Sequence, residues 1–392
     1  MSKRYSIFLT ALFCAFLGGM ALLSLLLPKE SFSELENRYL QKAPTLSLSA
    51  IESGKFMEEA EDYVSDHIAG RDFWVALKAW SERLSGKGEN EGVYFGKEDT
   101  LLNRVADPDE KRLSQAMDYL NRLAEQSEVP TYFGVIPTSS AIWHERLPKG
   151  APTADEESAI RELNGESRAA VVDIYDALTA HAGEAVYYRT DHHWTSLGAF
   201  YGANAILEAM GKEPLGLADY VPTTVSDSFY GTIFSTSGVR WVPPDSIEIY
   251  VPEDGVTVTS YPNGQPEPGK LYDASYLARK NKYAYYLGGN QPLCVVNSQK
   301  PGAEGKLLLV RDSYADSLTP FLTERFAEIH LIDLRYYRAS LQDYIRENGI
   351  DETLVLYGFS NFTTDRNLFL RAVPVRRFHR VQIWGSGGGS HR

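Results

Sequence analysis

Residues 306–317, KLLLVRDSYADS, decide the fold. The apolar run 307–310 reads as a strand buried on both faces, and Arg311, Asp312, Ser313 and Tyr314 read as the turn into a helix. A serine in that turn stands at the carboxyl edge of a parallel sheet, where open α/β folds place their ligands. The following helix aims its N-terminal N–H groups at the same spot, ready for a developing oxyanion. The arrangement follows the logic of a nucleophile elbow without the G-x-S-x-G sequence. The plainer reading is a helix cap, with Asp312 or Ser313 satisfying the first N–H groups of a helix that begins near Tyr314.

A serine hydroxyl is a poor nucleophile until an imidazole takes its proton, and the imidazole needs a carboxylate to fix its tautomer. Both residue types stand in residues 187–200, YYRTDHHWTSLGAF, where Asp191, His192, His193 and Trp194 are consecutive. Such a group is costly to bury unless each member finds a partner. A two-residue step in extended chain returns to the same side, so Asp191 and His193 pair while His192 faces away, toward packing or substrate. The rival is a metal site, but His67, His144, His181 and His330 show no ligand spacing, and neither metal nor cofactor is expected. Trp194 reads as core before sugar platform. For a second oxyanion donor, Asn361 in LVLYGFSNF follows a predicted strand, and Asn290 in YYLGGN is the weaker choice, a turn former.

Outward from these stretches the chain alternates helical and strand patterns. Residues 49–86 carry apolar residues at mixed three and four spacing, broken at Gly70. Residues 109–127 form an amphipathic helix that leads into the apolar run 129–143. The helix after TDHHW runs from a Thr195 or Ser196 cap to a Gly211 stop. Helix and strand in alternation predict an α/β fold with a mostly parallel sheet in three layers. Residues from about 213 to 300 are rich in Pro, Gly, Asp and Tyr with short alternating runs, and read as a β-rich insertion.

Composition sets the outer bounds. The 392 residues carry 43% hydrophobic and 23% charged residues, ordinary globular material, with a formal charge of −13. A nucleic-acid partner would need clustered cations to neutralise phosphates, and none is expected. The two cysteines, Cys14 and Cys294, are not expected to pair. After MSKR comes an uncharged stretch over residues 5–27, long enough to cross a lipid bilayer, which takes roughly 20 residues. Lys3 and Arg4 on its short side orient the N-terminus to the cytoplasm and the body outward. Secretory h-regions are shorter, about 7 to 15 residues, and no small-x-small site follows SLLLP, so an uncleaved anchor is favoured. The layout is a membrane anchor over residues 1–27, a stalk over 28–45, an α/β domain over 46–384 with its insertion, and a linker-like tail, GSGGGSHR, over 385–392.

Taken together, ENRYLQKAP, RDFW, GVYFGK, TDHHWTSLGAFY, YGTIFSTSG, YYLGGN and LLLVRDSYADSLTPFL resemble the DHHW protein family along nearly the whole chain. That family is similar to the SGNH-like domains of alginate O-acetylation proteins, where an Asp-x-His motif precedes a GDS-like serine. The resemblance implies an SGNH-hydrolase-like fold and a triad of Ser313, His193 and Asp191. Arg311 departs from the pattern, standing where those relatives have Gly, and would narrow the pocket or bring a cation near the acyl group. Tyr314 and His192 join it as candidates for substrate contact, beside Asn361. The implied function is an extracytoplasmic, membrane-anchored O-acetyltransferase that passes an acetyl group through Ser313 to a polysaccharide acceptor. Its donor would be a multi-spanning membrane-bound O-acyltransferase. A carbohydrate acetylesterase and a non-catalytic glycan-binding or scaffold protein are the alternatives.

Overall fold

The computed structural model describes residues 3–33, 35–36 and 38–365. The expected tail over residues 385–392 and the last stretch of the expected domain, 366–384, lie outside the described residues. Helix α1, Lys3–Leu26, buries none of its residues and is long and apolar enough to cross a membrane by length and composition. Helices α2, Lys55–Asp66, and α3, Arg71–Leu84, follow, each entered through a left-handed glycine, Gly54 and Gly70. Gly70 is the break expected from the sequence.

Eight strands form the main sheet: β1 Thr131–Ile136, β2 Ala170–Val172, β3 Val256–Ser260, β4 Glu267–Gly269, β5 Leu293–Ser298, β6 Lys306–Arg311, β7 Glu328–Ile332 and β8 Glu352–Gly358. Their order is β4-β3-β5-β7-β6-β8-β1-β2. Strands β7, β6, β8, β1 and β2 are parallel. The other three, all from the 213–300 region, add antiparallel onto the β7 edge. Most of the insertion's strands therefore extend the central sheet.

Helices cover both faces, which is why the parallel strands are apolar throughout. The remaining helices used below are α4 Glu110–Gln126, α5 Ser196–Ala209, α6 Thr232–Ser237, α7 Tyr314–Leu322 and α8 Leu341–Asn348. Alternation along β6 sends Leu307 and Leu309 into one core with Phe200 and Ile206 of α5 and Phe321 of α7. It sends Leu308 and Val310 into the other, with Met117 and Leu120 of α4 and Ile345 of α8. The α/β expectation and the mostly parallel sheet are thus seen directly. Helix α5 begins where the sequence places it, with the Thr195 side chain accepting from the Gly198 N–H at 3.2 Å. Its small residues are an accommodation: a Cβ on Gly202 would lie 2.6 Å from the ring of Trp194, which is fully buried.

Candidate active site

The chain leaves β6 to form β7 on one side and returns to form β8 on the other, so the carboxyl end of β6 is a topological switch point. Such a crevice is where open α/β sheets hold ligands. Ser313 sits there with φ −65° and ψ −15° and makes no capping bond through its side chain. The capping role falls to its neighbour: Asp312 Oδ1 accepts the Tyr314 N–H at 3.1 Å. Asp312 Oδ2 accepts the Gly358 N–H at 2.9 Å and the Asn361 Nδ2–H at 2.7 Å, which ties the end of β6 to the end of β8. Freed from capping, Ser313 Oγ lies 2.7 Å from His193 Nε2.

On the other side of that imidazole, Asp191 Oδ1 is 2.6 Å from Nδ1 and accepts the His193 backbone N–H at 3.0 Å. The two-residue spacing does not come from extended chain. Residues 191–193 form a bend closed by a Tyr187–Trp194 bridge, and the aspartate folds back on the residue two positions on, an Asx turn. The bend also moves His192 from its expected place. It does not face away; its Nδ1 lies 3.5 Å from Asp191 Oδ1, and the two imidazole rings sit 3.8 Å apart. About a third of the His192 side chain, 35%, remains exposed, against 6% for His193.

The far carboxylate oxygen is held by α6. Asp191 Oδ2 accepts the Thr232 backbone N–H at 2.7 Å and its hydroxyl at 3.1 Å, while the same hydroxyl meets His192 Nδ1 at 2.7 Å. Gly231 permits this approach, since a Cβ there would fall inside the Asp191 carboxylate. Burial raises the pKa of Asp191, but the two imidazoles, the His193 hydrogen bond and the Thr232 N–H outweigh it and hold the group below the ordinary carboxylate range. Partial burial, with His193 alongside, lowers the His192 imidazole to about 4.

Tyr283 forms the wall behind His193, its ring stacked on the imidazole at 3.7 Å and 8°. Its hydroxyl donates to the Ser313 carbonyl at 3.1 Å, so one side chain registers base and serine together. Trp194 proves to be core: its Nε1–H donates to the Tyr314 carbonyl and reaches Ser317 Oγ, both at 3.0 Å.

Other candidates are placed differently from expectation. Arg311 does not line a pocket; it is 0% exposed and ion-paired with Asp316 at 3.1 Å. Its Nη1 donates to Asn290 Oδ1 at 2.9 Å and to the Asp312 carbonyl at 3.3 Å. As the last residue of a strand buried on both faces, it is directed under the site. Tyr314 is also buried, its hydroxyl donating to the His192 carbonyl at 2.5 Å, and holds the bend from behind. Asn361 spends one amide hydrogen on Asp312. The sequence reading missed Thr232 and Tyr283, which meet the site only through chain reversals in the 213–300 region.

Asp191, His192 and His193 have ligand atoms within 4.8 Å of one another, close enough for a metal ion. Both ring nitrogens of His193 are already engaged, by Asp191 and by Ser313. An ion using that histidine would have to displace one of them.

Residues 152–332 match the DHHW protein family. A solved DHHW family protein from Eubacterium siraeum is 26% identical, with a TM-score of 0.62 over 72% of this chain and 96% of that one. PatB1 of Bacillus cereus, solved with a sulfonyl adduct, shares the fold at 22% identity and a TM-score of 0.58, over 71% of this chain and 98% of its own. A probable alginate O-acetylase, AlgJ of Pseudomonas putida, is 29% identical over 85 residues, 21% of this chain. The match spans only 22% of that relative's length. The resemblance first read in TDHHWT therefore holds over residues 152–332, the stretch that matches the DHHW protein family and contains Asp191, His193 and Ser313.

Proposed function

We propose that the protein is a membrane-anchored O-acetyltransferase that carries an acetyl group through Ser313 to a hydroxyl of a cell-surface or secreted polysaccharide. The observation that carries this reading is the unbroken hydrogen-bonded chain from Asp191 through His193 to Ser313, at 2.6 and 2.7 Å. With Nδ1–H donated to the ionised Asp191, Nε2 of His193 is left as acceptor for the Ser313 hydroxyl proton. Ser313 Oγ would bond to the acetyl carbonyl carbon as its proton passes to Nε2, and His193 would return that proton to the departing alcohol of the donor. In the second half the acceptor's hydroxyl proton goes to Nε2, its oxygen bonds to the same carbon, and Ser313 leaves with the proton restored.

Two donors serve the oxyanion in this reading. The Ser313 N–H, at the start of α7, has no protein acceptor among the described residues. Exposed Asn290 has its Oδ1 held by Arg311, which leaves its amide hydrogens for a ligand. The similarity to a probable alginate O-acetylase supports acetyl transfer to a polysaccharide as the reaction class. Lys3 and Arg4 on the short side of α1 support an outward-facing body. There, acetyl-CoA is absent, and a multi-spanning membrane-bound O-acyltransferase would supply the acetyl group.

The test is turnover of p-nitrophenyl acetate with and without oligosaccharide acceptors. The reading expects acetylated sugar to form in the wild type and both products to vanish in Ser313→Ala. Hydrolysis indifferent to every acceptor would make the protein an esterase, and undiminished turnover in Ser313→Ala would reject the serine.

A further inference from the structure

Helix α3 is apolar on two faces. Ala79 is fully buried, and Val75 lies against the turn at Gly238, so one side of the helix packs on the domain. On the outer side Phe73, Leu77, Trp80 and Leu84 recur at helical spacing and are 62%, 45%, 43% and 82% exposed. A stripe of this size is not left to water in a soluble domain.

What covers it is indicated by α1. Ser24, in the last turn of α1, accepts the Ala69 N–H at 2.8 Å, which pins the start of α3 to the end of the apolar helix. Trp74 then meets Phe16, ring centroids 6.3 Å apart. Eight residues separate Ser24 from Phe16, about 12 Å along a helix at 1.5 Å per residue, within a hydrocarbon core about 30 Å thick. The first turns of α3 therefore lie beside the part of α1 that a bilayer would surround. Trp80 also lies against Trp241, ring centroids 4.4 Å apart and planes tilted by 43°, and tryptophan is a residue enriched at membrane–water boundaries.

We infer that α3 lies in the membrane interface with Phe73, Leu77, Trp80 and Leu84 in lipid, so that the domain is seated on the bilayer by two helices. The inference rests on α1 being a span and is independent of acetyl transfer.

The full chain, reconstituted in phosphatidylcholine–phosphatidylglycerol vesicles, tests it through nitroxide labels. Labels go on Leu77→Cys and Leu84→Cys in a Cys14→Ser background, with Cys294, which is buried, left in place. Native Cys14 labelled in the wild type gives the lipid reference, and Lys111→Cys in the same background gives the aqueous one. Positions 77 and 84 should be relaxed by oxygen over a water-soluble nickel chelate, as at Cys14, with position 111 showing the reverse. Nickel access at 77 and 84 with Cys14 still in lipid overturns the inference and leaves the span standing. Protection from both agents means that protein covers the stripe, and also overturns it. Nickel access at Cys14 removes the span and the inference together.

Discussion

Asp191 holds His193 at two points, accepting its backbone N–H at 3.0 Å and its ring Nδ1–H at 2.6 Å through one oxygen. The turn that shapes the loop and the bond that orients the imidazole are thus the same carboxylate. Asp191→Asn would keep the size and much of the turn but lose the charge that fixes the tautomer. We expect a fall of about 10⁴ in kcat, as in other serine triads, with the melting temperature changed far less. Comparing kcat with thermal unfolding on the same variant checks this.

Removal of the base should be as damaging as removal of the nucleophile. His193→Ala and Ser313→Ala are expected to show the same loss in ester turnover, and the double variant little more, because members of one catalytic unit are not additive. Additive losses in the cycle would mean that the two residues act separately.

Thr232 is a sharper test of the supporting contacts. Its hydroxyl has one proton; donated to Asp191 Oδ2, it leaves the oxygen to accept from His192 Nδ1. Thr232→Val removes a bond to a charged group worth about 1.5–3 kcal/mol, so kcat should fall roughly tenfold or more. Thr232→Ser should restore it, and equal kcat in the two variants would show that the hydroxyl is idle.

The fold at this site was legible where chemistry demands a residue type. The buried run of β6 followed by a serine, and a carboxylate two residues from an imidazole, are constraints that one sequence displays. The local geometry was less so: an Asx turn and an extended strand both bring residues two apart to one side, and only the bend explains why His192 stays close. Arg311 looked like a pocket residue because it stands where the resembling proteins have Gly before the serine, yet its place at the end of a strand buried on both faces turns it inward to Asp316. Thr232 and Tyr283 were beyond reach, since their contacts span 41 and 30 residues. No spacing rule covers such reversals. Nor does alternation within a short strand reveal which edge of a sheet it joins, so the antiparallel extension by β3, β4 and β5 was not foreseen.

Close packing around Trp194 makes a stability prediction. Gly202→Ala gains about 1 kcal/mol of helix propensity, but its Cβ would lie 2.6 Å from a fully buried indole, and overpacking costs about 1–3 kcal/mol. The second effect should win and lower the melting temperature. An unchanged or raised value would show that the indole can yield.

His192 should leave a mark on the pH dependence of stability. Its pKa falls from about 6.5 in the unfolded chain to about 4 in the fold, so below pH 6.5 the unfolded state binds the extra proton. Its contribution is present above pH 6.5 and is lost as pH falls toward 4. Burial raises Glu156 to about 7, which works the other way: that contribution is present below the unfolded carboxylate range and is lost as pH rises through 7. The wild-type curve mixes the two, so the informative quantity is the difference between wild type and His192→Gln. The charged groups that act on His192 in the fold, His193, Asp191 and Arg335, are present in both proteins. The variant should lose less stability than the wild type between pH 6.5 and 4; parallel curves would contradict the assignment.

The central claim is that Ser313 carries the acetyl group, and the most direct measurement is rapid acid quench of the full-length protein during turnover of p-nitrophenyl acetate, followed by peptide mass mapping. We predict one acetyl group, on the peptide containing Ser313, formed at a rate that accounts for turnover and absent from Ser313→Ala and His193→Ala. Turnover at an undiminished rate with no acetyl on that peptide, or with the acetyl on another residue, would contradict the account.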